Sequence, residues 1–529
     1  MFLVALLTLS GLSVAGSVIY LLMLALASFR TPADQVAKAP TAALKVLVPA
    51  HDEAELIMRS VRSLQEQDYP ADLVEVVVIA DNCTDFTAAL AEAAGARVLV
   101  RSDLENQGKG AALRWAMDSL LASDPDLDAF VVVDADSIVK PGFLAALASE
   151  LEAGHEVAQS DYAVLDGGEG GRSALTAAGF MLFHKVRPAG RMALGMPTAL
   201  VGNGMLFSKG AITNCPWNAY SGVEDLEYTV SLRLAGIRPV FAHRALVLGP
   251  MPASRKGAAT QRMRWEGGRF HVIRHRLPEL IGAIVTQRRL DLVDMAVDLA
   301  VLPLGILAMT TIGGLVVSSI LIFAHLAPLW AVMPWLAAAV ALPAYVLVGL
   351  RAAGASSAAY LALLGVPWFL ARKVLVYGHL VRGFDAGKFE RAERPSEERS
   401  DPEGRVQVAG VEIDSVDMET ALARTSAALD GDKFTQICTV NLDFLVQAQR
   451  DPEIRLIFSE SQLNVADGAP VLWLGRMLGR ALPERVAGAD MVPAMVALAA
   501  GQGRGVFLLG GQDGVAEAAA RVLRDRHPG

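Results

Sequence analysis

Four groups of residues, in fixed order, could do chemistry together: Asp81, Asp134-Ala-Asp136, Glu224-Asp225 and Gln261-Arg-Met-Arg264-Trp265. Asp134 and Asp136 alternate in an extended segment, so both carboxylates can address one hard cation, with a nucleotide diphosphate completing the shell. Mg2+ or Mn2+ suits such donors. D-x-D is also a common loop tripeptide. Here it follows the apolar run Phe130-Val-Val-Val133, which puts the charges at a rim where they need a partner. Glu224 and Asp225 open a helical stretch that stops at Gly236. Acids there favour the helix dipole, and a carboxylate fixed at a helix start can also take a proton from an acceptor hydroxyl. The dipole is expected to lower the pKa of Asp225, leaving it to act by position more than by basicity. Arg264 can grip phosphate oxygens through two hydrogen bonds, and Trp265 offers an indole face to a sugar. The other reading of that stretch, with Arg255, Lys256, Arg288 and Arg289, is a basic face at a membrane surface.

Lys109, in Asn106-Gln-Gly108-Lys109-Gly110, supplies a point charge for phosphate or a carboxylate where glycines permit close backbone approach; a plain glycine-rich turn fits equally. Asp81, in Asp81-Asn-Cys-Thr-Asp85, is read either as a ligand-side carboxylate or as the N-cap of the next helix.

The elements that must position these groups alternate. Lys45–Pro49, Val74–Ala80, Arg97–Val100 and Ala129–Asp134 read as strands, with helices between them, the first from about Glu53. This is the pattern of a parallel sheet covered by helices. Ligands of such sheets bind outside the carboxyl ends of the strands, where Asp81 and Asp134 fall.

With 529 residues, 53% of them hydrophobic and 19% charged, the chain exceeds one core and leans toward a membrane. Cys83, Cys215 and Cys438 are too few and too scattered for a disulfide framework or a zinc site, which fits a reducing compartment. A net charge of -9 without clustered Lys and Arg argues against a general nucleic-acid binder. Residues 1–29 are nearly uncharged and long enough to span a bilayer. No cation precedes Arg30, which favours an uncleaved anchor over a signal peptide. Arg30 and Lys38 then put the following domain in the cytoplasm. Further apolar segments run from Ala296 to Ile322 and from Pro328 to Leu350, with a shorter one from Ala358 to Leu370. Within 290–380, two crossings and one interfacial or re-entrant segment keep Arg288, Arg289, Arg351, Arg372, Lys373 and Arg382 on the cytoplasmic side.

On these motifs, residues 43–275 resemble a glycosyltransferase family 2 catalytic domain of the GT-A type, in particular the inverting membrane synthases of cellulose, chitin, hyaluronan and poly-N-acetylglucosamine. The matching residues are Pro49-Ala-His-Asp-Glu53, Asp81, Asp134 and Asp136, Glu224 and Asp225, and Gln261, Arg264 and Trp265. The resemblance implies an α/β GT-A domain with a mixed, mainly parallel sheet and transmembrane helices, acting as a hexosyl- or N-acetylhexosaminyltransferase. It implies that Asp81 contacts uridine, with Pro49, Glu53 and Lys109 on the donor side. Asp134 and Asp136 would hold the metal diphosphate, and Asp225, with Glu224 beside it, would be the general base. Gln261, Arg264 and Trp265 would hold the donor diphosphate and the acceptor end. Gly202-Asn203-Gly204 falls where the family shapes the acceptor pocket, although a tight turn explains it as well.

The implied partners are a UDP-sugar donor, a polysaccharide or polyprenyl-linked acceptor and the lipid bilayer, with no nucleic acid. The implied location is a bacterial inner membrane, with the catalytic domains in the cytoplasm and surface polysaccharide as the product. A membrane receptor or scaffold that binds sugar nucleotides without turnover is the alternative; retention of Asp225 and of both metal carboxylates speaks against it.

Residues 384–403, charged and proline-containing, read as a linker. A second α/β pattern follows over 404–529, with strands at Phe434–Val440, Leu463–Ala466 and Gly505–Gly510 and a helix from Gly514. Thr439-Val-Asn441, Asp467-Gly468, Pro483 to Asp490 and Phe507 to Gly511 resemble the family 26 transferases of the WecG/TagA/CpsF type. That implies Asp467 as base with Thr439 and Asn441 near the substrate. The sequence stops at Gly529, before the later part of that family's domain, so a partial second domain is expected.

Overall fold

In a computed structural model of the protein, residues 2–30, 40–54, 56–165, 171–250, 255–370, 405–429, 434–477, 482–509 and 515–527 are described. The expected linker and the cations Lys38, Arg372, Lys373 and Arg382 lie outside them. The chain divides into two compact units, Met1–Pro395 and Ser396–Gly529.

The first unit is built on an eight-stranded sheet of β1 (Leu44–Ala50), β2 (Val74–Asp81), β3 (Arg97–Arg101), β4 (Ala129–Val132), β5 (Ile138–Val139), β6 (Val157–Val164), β7 (Met205–Ser208) and β8 (Val240–Gly249). Its order is β3-β2-β1-β4-β7-β6-β8-β5. The pairs β3-β2, β2-β1, β1-β4 and β6-β8 are parallel; β4-β7, β7-β6 and β8-β5 are antiparallel. The sheet is therefore mixed and mainly parallel. The runs of valine in β1, β2 and β4 suit strands covered on both faces.

The helices are α1 (Phe2–Ala27), α2 (Ile57–Gln65), α3 (Thr87–Ala93), α4 (Lys109–Ser123), α5 (Phe143–Glu152), α6 (Gly171–Met181), α7 (Arg187–Ala193), α8 (Lys209–Asn214), α9 (Glu224–Leu234), α10 (Arg255–Thr286), α11 (Val293–Ala300), α12 (Leu304–Phe323) and α13 (Met333–Ala353). Leu113, Met117 and Leu120 of α4 pack on Leu47, Val77, Phe130 and Val132 of the sheet, with Trp217 and Tyr228 beneath. Each such side chain contributes roughly 1.5–3 kcal/mol on burial. The core thereby fixes the strand ends that carry the aspartates.

Among the described residues, three helices are long and apolar enough to cross a membrane: Leu3–Arg30, Leu304–Phe323 and Leu329–Ala353; Ser357–Leu370 is apolar but shorter. The expected first segment after the catalytic region, Ala296–Ile322, is not continuous. The chain turns extended at Val301, ahead of Pro303. Proline lacks an amide hydrogen and disfavours helix in the residue before it. Asp298 therefore belongs to the separate helix α11 and not to a span.

Asp294 and Asp298, one turn apart on α11, tie together the elements around them. The Asp298 carboxylate accepts from Tyr20 of α1 at 2.9 Å and from Arg187 of α7 at 2.9 Å, and its backbone carbonyl accepts from Arg269 of α10 at 2.7 Å. Asp294 pairs with Arg191 of α7 at 2.5 Å and with Arg233 of α9 at 2.8 Å. Arg187 and Arg191 hold the Asp298 carboxyl far below the usual range, overcoming a burial that acts in the opposite direction.

In the second unit, β9 (Arg405–Val408) and β10 (Val411–Asp414) form an antiparallel hairpin, and β11 (Ile437–Val440) pairs in parallel with β12 (Leu463–Ala466). The hairpin turn is Ala409-Gly410, both with positive φ, as a two-residue turn requires. The expected third strand at Gly505–Gly510 is not formed. Residues 505–509 pair with no strand, and Phe507 and Leu509 are 86% and 90% exposed. Gly510 lies outside the described residues.

Candidate functional site

Because β1, β2 and β4 run parallel, their carboxyl ends share one edge of the sheet. Asp81 is the last residue of β2 and lies in register with Arg101, the last of β3. The Arg101 guanidinium donates to Asp81 Oδ1 at 2.6 Å, to Asp103 Oδ2 at 2.8 Å and to the Asn106 carbonyl at 2.7 Å. Asp81 and Arg101 are each 6% exposed. Asp81 does not cap the next helix. Asp85 accepts the Thr87 amide at 2.9 Å, leaving Asp81 to its ion pair. Arg101 escaped the sequence reading; its only signal is a cation ending the neighbouring strand. Pro49 lies in β1 opposite Ile79. Glu53 is buried, and its amide donates to Thr87 Oγ1 at 2.7 Å. The helix expected from Glu53 begins at Ile57, and the Glu53 carbonyl accepts the Ile57 amide at 3.0 Å.

Lys109 opens α4 behind Gly108, whose φ is 105°. Its ammonium donates to Asp134 Oδ1 at 2.5 Å and to the Gly202 carbonyl, and lies 3.9 Å from Glu224 Oε1. Burial works against that charge, but Asp134 and Glu224 outweigh it and hold the pKa above the ordinary lysine value. The D-x-D end of β4, the turn at Gly202 and the start of α9 thus meet at one cation. A Cβ at Gly110 would collide with the Ala219 carbonyl, so this close approach requires glycine.

Asp136 is pushed up to about 6, first by burial and then by the neighbouring Asp134. Asp225, in the first turn of α9, accepts the Leu226 amide at 2.8 Å. Its pKa is pushed up to about 7, by burial first and by the Glu224 carboxylate second. That overturns the expected lowering. A helix start is worth about 0.3–1 kcal/mol to an acid, whereas a rise of about three units amounts to ~4 kcal/mol. Gly202, with φ 84°, faces this carboxyl; a Cβ there would lie 3.2 Å from Asp225 Oδ2. Asn203 is fully buried, and its Oδ1 accepts the Asp134 amide at 3.1 Å.

Gln261 and Trp265 lie on α10, partly buried, and the Trp265 ring sits 6.5 Å from that of Phe180. The Arg264 side chain falls outside the described residues, as do those of Arg255 and Lys256. One turn beyond Trp265, Gly268 packs so closely on Val223 that a Cβ would collide with it. Val223 directly precedes Glu224, so α10 is pinned to the start of the helix that carries Asp225.

In the second unit, Thr439, Asn441 and Asp467 come to the common carboxyl edge of β11 and β12. Asp467 Oδ2 accepts the Gly488 amide at 3.2 Å, and Gly488 also packs against Thr439. The Asn441 side chain caps the following helix by accepting the Phe444 amide at 2.9 Å.

A mixed, mainly parallel sheet with acids along the carboxyl edge of its parallel strands is an open α/β architecture whose ligand side is that edge. Residues 40–268 match the family described as glycosyltransferase like family 2, and residues 406–529 match the WecG/TagA/CpsF glycosyl transferase family. The chain therefore carries a glycosyltransferase domain of the family 2 type, followed by a WecG/TagA/CpsF-type segment. Among solved structures it is similar to a mannosyltransferase from Pyrobaculum calidifontis in complex with GDP-Man and Mn2+, at 16% identity and TM-score 0.43, covering 69% of this chain and 99% of that one. It is also similar to glucosyl-3-phosphoglycerate synthase from Mycobacterium tuberculosis in complex with Mn2+, UDP and glucosyl-3-phosphoglycerate, at 24% identity and TM-score 0.31, covering 44% and 80%.

Proposed function

We propose that the first unit is an inverting, metal-dependent membrane glycosyltransferase that moves a sugar from a UDP-sugar to a growing polysaccharide or lipid-linked acceptor in bacterial surface polysaccharide synthesis. The observation that carries this is the junction at Lys109. It links Asp134 to the start of the helix holding Asp225, a partly buried carboxyl with a pKa of about 7. A general base is most effective when its pKa lies near the working pH.

Asp134 and Asp136 fit a divalent cation. They are hard oxygen donors, and burial first and the Asp134 carboxylate second raise the pKa of Asp136, against the Ser137 hydrogen bond and Lys109. Mg2+ or Mn2+ held there would neutralise a donor diphosphate. Asp81, Pro49 and Glu53 take the nucleoside side; Gln261 and Arg264 hold the diphosphate, and Trp265 with the Gly202 turn holds the acceptor. Asp225 accepts the proton of an acceptor hydroxyl as that oxygen bonds to the anomeric carbon. The bond from that carbon to the diphosphate oxygen breaks, its electron pair leaves with UDP, and the single displacement inverts the centre. Glu224 keeps Lys109 in place and keeps Asp225 basic.

The three apolar helices support attachment to a bacterial inner membrane. Arg30, Arg288, Arg289 and Arg351 favour a cytoplasmic face for the catalytic unit. In the second unit, Asp467 is the base of this reading, with Thr439 and Asn441 beside it. Membranes containing the protein, incubated with labelled UDP-sugars and Mg2+ or Mn2+, are expected to transfer label to a larger product. No transfer from any UDP-sugar would remove the proposal.

A further inference from the structure

The tripeptide Asp134-Ala-Asp136 is not held by its own strand alone. Asn203, on a turn 69 residues further along the chain, spans both of its ends. Its Oδ1 accepts the Asp134 amide at 3.1 Å, and its Nδ2 donates to Ser137 Oγ at 2.8 Å. Ser137 Oγ donates in turn to Asp136 Oδ1 at 3.2 Å. The chemistry fixes the direction of every bond. The Asp134 amide can only donate, so the amide oxygen of Asn203 must face it, and its nitrogen must face Ser137. The single hydroxyl proton of Ser137 is then free for the Asp136 carboxylate. Asn203 and Ser137 are both fully buried.

The turn itself is locked. Gln159, 1% exposed, donates to the Asn203 carbonyl at 2.7 Å and accepts the Val201 amide at 3.0 Å. The Gly204 amide donates to the Val132 carbonyl at 2.9 Å, which stitches the turn to the strand that leads into Asp134. Gly202 and Gly204 have φ of 84° and 67°, and a Cβ at Gly204 would collide with Ser160 Oγ. The two glycines thus bend the backbone so that the amide between them points at the D-x-D loop. Leucine at 203 would keep about the same volume, add no charge and remove both bonds. Alanine would leave the buried Asp134 amide unpaired.

We infer that Asn203 is a positioning residue that sets the divalent-cation affinity of the Asp134–Asp136 pair, by fixing the spacing and the aim of the two carboxylates. The inference rests on the reading of that pair as the metal site. It also gives the turn two functions: the Gly202 carbonyl and the outer face stay with Lys109 and Asp225, while the side chain between the glycines serves the donor side. Partners one step removed from the metal typically change its affinity by roughly 10- to 100-fold.

The test is Mn2+ binding to the full-length protein in detergent, followed by the electron paramagnetic resonance of free Mn2+ without donor, so that turnover is not needed. Asn203→Ala and Asn203→Leu are expected to weaken Mn2+ binding by at least about tenfold. Ser137→Ala keeps the bond to the Asp134 amide, disturbs the fold less, and should weaken it by a smaller factor. UDP binding measured in EDTA should stay within about twofold of wild type in all three, because the nucleoside contacts are elsewhere. Wild-type Mn2+ affinity in the Ser137→Ala and Asn203→Leu proteins would overturn the inference while leaving the metal site standing. Equal losses of Mn2+ and UDP binding would also overturn it, by showing general damage. A wild type that binds no Mn2+ would remove the metal reading itself.

Discussion

Replacing Asp225 by Asn separates the two consequences of burying a base. The carboxyl rises from 3.8 to about 7, through burial first and Glu224 second. A carboxyl whose folded-state pKa lies above its unfolded value binds its proton more tightly when folded. Its contribution to stability is therefore greatest below about pH 4 and is lost as the pH climbs through about 7. About three units at ~1.4 kcal/mol each give a ceiling near 4 kcal/mol, and residual solvent at the site reduces this to roughly 2–4 kcal/mol. Asparagine keeps the shape and carries no charge. At pH 8 the Asp225→Asn protein is expected to melt several degrees above wild type, at roughly 2–4 °C per kcal/mol, with the gap closing toward pH 4. Scanning calorimetry of the detergent-solubilised protein across that range reads it directly. Over the same range, wild-type transfer should fall about tenfold per unit below pH 7 as Asp225 takes up its proton. A variant no more stable than wild type at pH 8, or a gap that widens in acid, would refute the reasoning.

Further perturbations follow from the same contacts. Lys109→Met removes the cation that lowers the Asp225 pKa, so the midpoint of the pH-rate profile should move up by on the order of one unit, with reduced transfer; an unmoved midpoint contradicts this. Asp298→Asn leaves Arg187 and Arg191 facing a neutral side chain. It should cost about 3–5 kcal/mol by thermal unfolding, and a loss below about 1 kcal/mol would show that the ion network contributes little. Gly268→Ala forces α10 away from Val223 and should lower transfer by about tenfold or more at a stability cost of about 1–3 kcal/mol. Gly282→Ala, on the same helix with open space at its Cβ, should match wild type in both assays.

How far the sequence foretells the structure varies along the chain. The strands Leu44–Ala50, Val74–Asp81 and Arg97–Arg101 are legible because runs of valine and isoleucine ended by turn residues have few other uses. β6 is not, because Gln159, Ser160 and Asp161 interrupt its apolar pattern and are buried only through long-range packing. The break before α12 is hidden because the apolar run continues through it, and Pro303 is the single local sign. At the site, the residue types were readable and their partners were not. Lys109 shows as a charge near glycines, but nothing local names Asp134 and Glu224 as what it touches. Asn203 reads as part of a turn, and its two bonds cross to the loop between β4 and β5. The direction of the Asp225 shift depends on burial, which spacing does not supply.

The central claim is that Asp225 removes the acceptor proton beside a donor held by Asp134 and Asp136. The most direct measurement compares metal-dependent release of UDP from a UDP-sugar, with acceptor present, by wild type and by Asp225→Asn, alongside donor binding to each. The account predicts turnover in wild type, a fall of about 100-fold or more in the variant, and donor affinity within a few-fold of wild type. Undiminished turnover by Asp225→Asn would contradict it.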